Sequence, residues 1–493
     1  MITETKLGKI AGIDRDGVIA FRGIRYARAP VGEQRFKPPV PVKPWSDVYD
    51  ATRFGDAAPQ LQADEGPQET ISEDCLVLNV YTRGLDDARR PVMFWIHGGG
   101  YIAGSGRFYN GRYFVEEHDV VVVTINYRMG ALGFMHVGHL EAGLDESVNN
   151  GILDQLCALE WTRDNIRAFG GDPDNVTIFG ESAGGTTTAM LLGCPRAEGL
   201  FHKAVVQSPN VDLIPVGDGH EAFTHRCIER LGGDPNHNGM QTLRDASIED
   251  IVKLNMPGAG ENTTASLAIR RPDRVKFSPA IDGSLIPRPV SDTLRQRGAA
   301  NVPLLAGGCR HEGTMFTYLI GDKDYTEAEA IELFNQEGFN GEQAMPVYEA
   351  FAPGSTPREK LAYALTDTMF RNSTVRILDA VADSGGACWS WMCTWENDQM
   401  NLRATHAIEL SFLWNWIASV PLMAGNNPPR DLGPAMRAYW TNFARTGSPF
   451  ADGEPDWPTY NIKDRPVLLL DAKRRVENNL DDGVRKFWFQ EDI

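Results

Sequence analysis

The stretch VTIFGESAGGTTTAMLL, residues 176–192, constrains this chain more than any other. Ser182 stands between Gly180 and Gly184, after an apolar strand-like run and before a helix start built of small residues. Glycines at those spots permit a sharp strand-to-helix turn that larger side chains would block. The turn lifts the serine hydroxyl clear of the backbone, at a helix N-terminus whose amides favour developing negative charge. It also demands a strand ahead and a helix behind, which is the building unit of a mainly parallel sheet.

The rest of the chain repeats that alternation. Apolar runs at Pro91–His97, Val120–Tyr127, Val176–Gly180, Lys203–Gln207, Val302–Ala306, Ala387–Trp395 and Val467–Leu470 read as strands. Most are continuously apolar, as strands covered on both faces are. Leu153, Leu156, Leu159, Trp161 and Ile166 fall at helical spacing, and Gly170, Gly171 and Pro173 then stop that helix. We therefore expect an α/β fold: one domain over residues 1–493, with a large, mainly parallel twisted sheet flanked by helices. Two polar stretches with glycine and proline breaks, roughly 210–300 and 317–386, read as excursions that wall or cover a site.

Composition narrows the function. Lys and Arg number 48 against 66 Asp and Glu, a formal charge of −18. A surface of that sign repels phosphate backbones and anionic lipid, so neither nucleic acid nor a membrane is an expected partner. No window approaches the roughly 18 uninterrupted apolar residues that span a bilayer. The amino terminus, MITETKLGKIAG, lacks a basic stretch followed by an apolar run. The seven cysteines are irregularly spaced and include no Cys-x-x-Cys, against a disulfide framework and against zinc or redox chemistry. Without a leader, the sequons at Asn175, Asn262 and Asn372 read as chance. The expectation is a cytoplasmic protein with no cofactor. His136 and His139, in HVGH, lack a third ligand, so no metal is expected.

A serine nucleophile needs a base and a place for negative charge. HGGG, His97–Gly100, ends the run PVMFWI, and the amides of Gly99 and Gly100, with that of Ala183, are the expected oxyanion donors. No Gly-Lys-Ser/Thr follows, against a phosphate loop. Along such a chain the order is serine, acid, histidine. His202, His220, His225, His237, His311 and His406 all follow Ser182. Glu312, after VPLLA and the turn GGCR, is the expected acid, and only His406 comes after it. Asp282 competes on position, although an Asp before Gly is ordinary turn chemistry. In this reading His406 removes the Ser182 proton and Glu312 orients the imidazole. Phe316, Phe412, Trp414 and Trp416 lie close in sequence to the acid and the base; they either line an apolar substrate pocket or pack in the core.

The chain resembles the type-B carboxylesterases, the group of the bacterial para-nitrobenzyl esterases and the cholinesterases. The likeness is carried by FRGIRYARAPVGEQRFKPP, SEDCLVLNVY, FWIHGGGYIAGSG, VVVTINYRMGALGF, FGGDPDNVTIFGESAGG, GLFHKAVVQS, HEGTMF and THAIELSFLW. It implies an α/β-hydrolase fold, a triad on Ser182, Glu312 and His406, and oxyanion donors on Gly99, Gly100 and Ala183. It also implies that Glu181 and Ser208 lie behind the triad. The expected activity is hydrolysis of small to medium apolar esters by water through an acyl-enzyme. The same residues would serve an amide, carbamate or lactone hydrolase or an acyltransferase. A catalytically dead binding protein on this fold would usually lack the Ser or the His. Three departures stand out. Ala407 replaces the Gly or Ser usual after the histidine. Cys75 has no earlier cysteine to bridge to. The loop Asp56–Ser72 holds no aromatic residue, so the cation–π site of the cholinesterases is missing and a choline ester is not expected.

Overall fold

The computed structural model describes residues 1–61, 70–214, 219–256, 277–298, 301–319, 324–336 and 340–490. Asn262 and part of the Asp56–Ser72 loop lie outside the described residues, as do parts of both expected excursions. The chain forms two compact units. One holds Met1–Ala204 and most of the chain from Ile214 to Arg288; the other holds Val205–Leu213 and Pro289–Ile493.

The first unit opens with strands β1 (Ile2–Thr5), β2 (Gly8–Ala11), β3 (Ile13–Arg15), β4 (Val18–Arg25) and β5 (Tyr49–Asp50). β1, β2 and β5 make a small separate sheet. β6 (Val77–Thr82), β7 (Arg90–Ile96), β8 (Val121–Ile125) and β9 (Gly171–Glu181) follow. Their pairing gives the order β3-β4-β6-β8-β7-β9, antiparallel from β3 to β8 and parallel from β8 to β9. The parallel strands are the continuously apolar runs, and every residue of β7 and β8 is buried. β9 begins earlier than its apolar run suggests. Gly170 turns the chain at φ +75°, and Gly171 already pairs with Arg90. The expected helix stands at Asn150–Asn165.

In the second unit β11 (Leu304–Cys309), β12 (Cys388–Cys393) and β13 (Pro466–Leu470) run parallel, and β14 (Arg475–Asn478) pairs antiparallel with β13. β10 (Lys203–Gln207) carries the chain out of the first unit. β11 reaches past Ala306 because Gly307 and Gly308 continue the pairing with Trp391 and Met392. A Cβ on Gly307 would stand 2.4 Å from the Trp391 ring, so glycine there makes room for a buried indole. Of the polar excursions, the described parts are largely short helices, among them Gly219–Arg230 and Pro357–Thr366. The latter starts on a capping box between Thr356 and Glu359 with Pro357 in the first turn, the position where a missing N–H costs nothing. No helix among the described residues is long and apolar enough to cross a membrane.

A buried ion pair ties the segment after β8 to the helix Asn150–Asn165. Asp154, on helix Asn150–Asn165, accepts from the Arg128 backbone N–H (2.9 Å), Nε (2.8 Å) and Nη2 (2.7 Å). The two side chains are 0% and 2% exposed. Asp154→Ala strands that guanidinium without its counter-charge. The expected loss is about 3–5 kcal/mol, read as a lower urea midpoint at an unchanged slope.

Candidate active site

In the first unit, β9 ends on Glu181 and the helix Ala183–Gly193 begins one residue later. Ser182 is the joint, at φ +57° and ψ −122°. That conformation suits glycine and costs a side-chain-bearing residue of order 1–3 kcal/mol. The flanking glycines let the turn close. A Cβ on Gly180 would lie 2.6 Å from the carbonyl oxygens of both Ile96 and Gly184, and one on Gly184 would lie 2.1 Å from that of Ile96. The helix is held from its first turn, where the Ser182 carbonyl accepts from the Thr186 N–H (2.8 Å) and hydroxyl (2.9 Å). Ser182 stays half-exposed while Glu181 and Ala183 are buried.

The HGGG segment continues β7 beside this turn. A Cβ on Gly98 would stand 2.8 Å from Glu181 Oε2 and 3.1 Å from Ser182 Cβ, so the two segments touch. Gly99 and Gly100 are exposed and take φ +105° and +61°. A Cβ on Gly99 would collide with the Ala103 carbonyl at 2.0 Å. Behind them His97 is buried, stacks on Tyr127 at 4.5 Å, and its carbonyl accepts the Tyr127 hydroxyl at 2.8 Å. Burial pushes the His97 pKa down from 6.5 to about 4.

In the second unit, Glu312 and His406 meet. Glu312 is 1% exposed and His406 6%. One carboxylate oxygen, Oε1, accepts the Ser208 hydroxyl and the Cys309 N–H, each at 2.6 Å. The other, Oε2, faces His406 Nδ1. Two hydrogen bonds bring the distant segments together: the His311 N–H donates to the Ala404 carbonyl (2.9 Å), and the Thr314 hydroxyl donates to that of Leu402 (2.6 Å). Gly308 lies so close that a Cβ would stand 2.5 Å from Glu312 Oε1. Ser208 and Ala407 both sit at positive φ, +49° and +64°. At Ala407 the Gly usual in the resembled family would be relaxed; Ala pays a small steric penalty.

Of the aromatics near this pair, Phe316 lies 5.5 Å from the His406 ring. Phe412 and Trp414 are 0% and 1% exposed, and Trp416 is half-buried. Residues that sequence reasoning did not single out also gather here. Phe370 stacks on His406 at 4.6 Å from a π-helical turn, Asp367–Arg371. That turn is pinned by Tyr348 and Arg371 on Asp367. Glu409 is buried, accepts from Gln207 Nε2 and from the Cys309 thiol at 3.0 Å each, and is raised above the ordinary carboxyl range by burial and then by the Glu312 charge. Its signal was present: an acidic residue inside the apolar run IELSFLW. Phe370 had none. Asp282, the competing acid, caps its own turn and accepts from Asn149 at 2.8 Å.

A model of the carboxylesterase family matches residues 1–488. The chain is 33% identical to a para-nitrobenzyl esterase of Bacillus subtilis over 99% of this chain and 98% of that one. It is 30% identical to carboxylesterase 1C of Rattus norvegicus, covering 99% and 92%. Among solved structures, the carboxylesterase EST55 of Geobacillus stearothermophilus superposes with a TM-score of 0.87 at 34% identity, covering 99% of both chains. The fold is the α/β-hydrolase fold expected from the sequence, with a mixed, mostly parallel sheet flanked by helices.

Two outcomes follow from these contacts. Gly184→Ala drives a methyl group into the Ile96 carbonyl, and we expect about 3 kcal/mol of lost stability, measured by urea unfolding. His97 links stability to acid. The unfolded imidazole takes its proton near pH 6.5 and the folded one only near 4, so the stability present above 6.5 is lost as the pH falls toward 4. The slope is about 1.4 kcal/mol per pH unit for this one proton. His97→Gln should flatten the fall of the urea midpoint over that range; parallel curves would refute the assignment.

Proposed function

The chain belongs to the carboxylesterase family, and from that premise we propose that it hydrolyses carboxylic esters through an acyl-enzyme on Ser182. The buried Glu312–His406 pair carries the reading. A carboxylate only accepts, so the imidazole nitrogen facing Oε2 keeps its proton and Nε2 is left as the basic atom. Ser208 and the Cys309 amide fix the carboxylate, and Phe370 fixes the ring plane. In the proposed reaction Nε2 removes the Ser182 proton as Oγ attacks the ester carbonyl. The amides of Gly99, Gly100 and Ala183 hold the oxyanion, each worth roughly 3 kcal/mol. The imidazolium then protonates the departing alcohol. Water, deprotonated by the same nitrogen, releases the acid and restores the serine.

The strained backbone of Ser182 and the exposed, positive-φ glycines Gly99 and Gly100 support those roles, since strain of this kind gathers at working residues. Phe316 and Phe370 beside the imidazole support an apolar substrate of small to medium size. The cysteines, all seven of them buried, support a reducing compartment, the cytoplasm.

The test is turnover of p-nitrophenyl esters with labelling by a fluorophosphonate. Ser182→Ala should abolish labelling and lower kcat by about 10⁴-fold or more. Glu312→Gln should keep slow labelling and lower kcat by about 10⁴-fold, through the wrong imidazole tautomer. Full turnover by Ser182→Ala would overturn the proposal, and a series of acyl lengths with alkyl and aryl alcohols would define the substrate.

A further inference from the structure

His136 and His139 follow the helix Gly130–Phe134, and their segment offers no third ligand. Folding supplies one from far along the chain. The Thr224 hydroxyl, on helix Gly219–Arg230, donates to the His136 carbonyl at 2.7 Å and clamps the histidine segment against that helix. The Ser147 hydroxyl holds the same segment from its other side by accepting the Val137 N–H at 2.9 Å. With the register so fixed, Glu221, three residues before Thr224, faces both imidazoles. One ligand atom from each of His136, His139 and Glu221 lies within 4.8 Å of the other two. His225, one helical turn beyond Glu221, brings its ring centroid to 5.1 Å from that of His139. The His220 ring lies 6.5 Å from that of His136.

The cluster is poorly explained by packing alone. Four imidazoles in mutual proximity gain little from one another, and buried polar atoms normally find partners. Both ring nitrogens of His139 and Nε2 of His220 are shielded from solvent with no hydrogen-bond partner among the described residues. A cation between the rings would give one of the two His139 nitrogens its partner. Two ligands about 2.1 Å from a shared tetrahedral zinc stand about 3.4 Å apart. The ligand atoms, within 4.8 Å of one another, stand a little wider than that; Glu221 is exposed while His136 and His139 are half-buried.

We infer that His136, His139 and Glu221 form a binding site for a transition-metal dication of the zinc class, with His225 or water in the fourth position. Two imidazoles and one carboxylate suit Zn²⁺, Co²⁺ or Ni²⁺, whereas Mg²⁺ and Ca²⁺ take oxygen donors. The ion staples the helix Gly219–Arg230 to the segment that follows Gly130–Phe134. Its role is to hold that helix in place, not to touch the reacting ester.

The experiment uses the full, untagged chain stripped with a chelator. It is titrated with Zn²⁺ by calorimetry and dialysed against Co²⁺ or Mg²⁺, with bound metal counted by mass spectrometry and thermal unfolding followed in parallel. The expected result is one Zn²⁺ or Co²⁺ per chain, a raised Tm with either ion, and no response to Mg²⁺. His139→Ala and Glu221→Gln each weaken Zn²⁺ binding at least tenfold and remove the Tm rise, while His237→Ala, whose ring pairs with Asp234, binds as wild type does. Equal Zn²⁺ uptake by wild type and both ligand variants, or no uptake by wild type, would overturn the site.

Discussion

The division of labour between the two oxygens of Glu312 organises everything around the candidate base. Oε1 is occupied by the Ser208 hydroxyl and the Cys309 amide, so only Oε2 is left for the imidazole. A buried carboxylate that lacked those two donors would pay a desolvation cost with nothing to offset it. The surroundings follow from this need. Gly308 is glycine because a Cβ would strike Oε1, and Ser208 adopts a positive φ with its hydroxyl on the carboxylate. Glu409, the second carboxyl nearby, is pushed toward its neutral form and so avoids placing a second negative charge in the same low-dielectric pocket.

In the first unit the corresponding constraint is steric. Backbone oxygens of Ile96 and Gly184 approach Gly180, and those of Ile96 and His97 approach Gly184, so closely that neither position has space for a side chain. The helix therefore packs directly on the strand ends, and Ser182 is forced into a conformation it would not choose. Stability is given up there to present a hydroxyl half-exposed at a helix N-terminus. His97, whose carbonyl closes on Gly184 and whose ring stacks on Tyr127, backs this strained corner.

How legible the fold was varied with burial. β7–β13 could be read because strands covered on both faces are continuously apolar. β1–β6 and β14 were missed: β4, VIAFRGIR, carries two arginines and a glycine; β6, VLNVYT, is buried throughout but broken by Asn79; and β14, RVEN, is a short edge with two charged residues. Glycine misled at both strand limits. GDPDN reads as a turn and yet begins β9, and Gly307–Gly308 reads as a stop and yet continues β11, because pairing with a neighbouring strand outweighs local propensity.

The amino-acid sequence alone determined the elbow around Ser182, the glycine-rich end of β7 and the chain order that singles out Glu312 and His406. Those features are local: they depend on which side chains are absent beside a turn and on which residue types can accept or carry a proton. Tertiary structure alone decided which groups share a pocket. Phe370 reaches His406 from a π-helical turn, Glu409 meets Cys309 and Gln207, and Glu221 joins two histidines it never approaches along the chain. Contacts of that kind depend on the register of packed helices and strands, which no short window of sequence encodes.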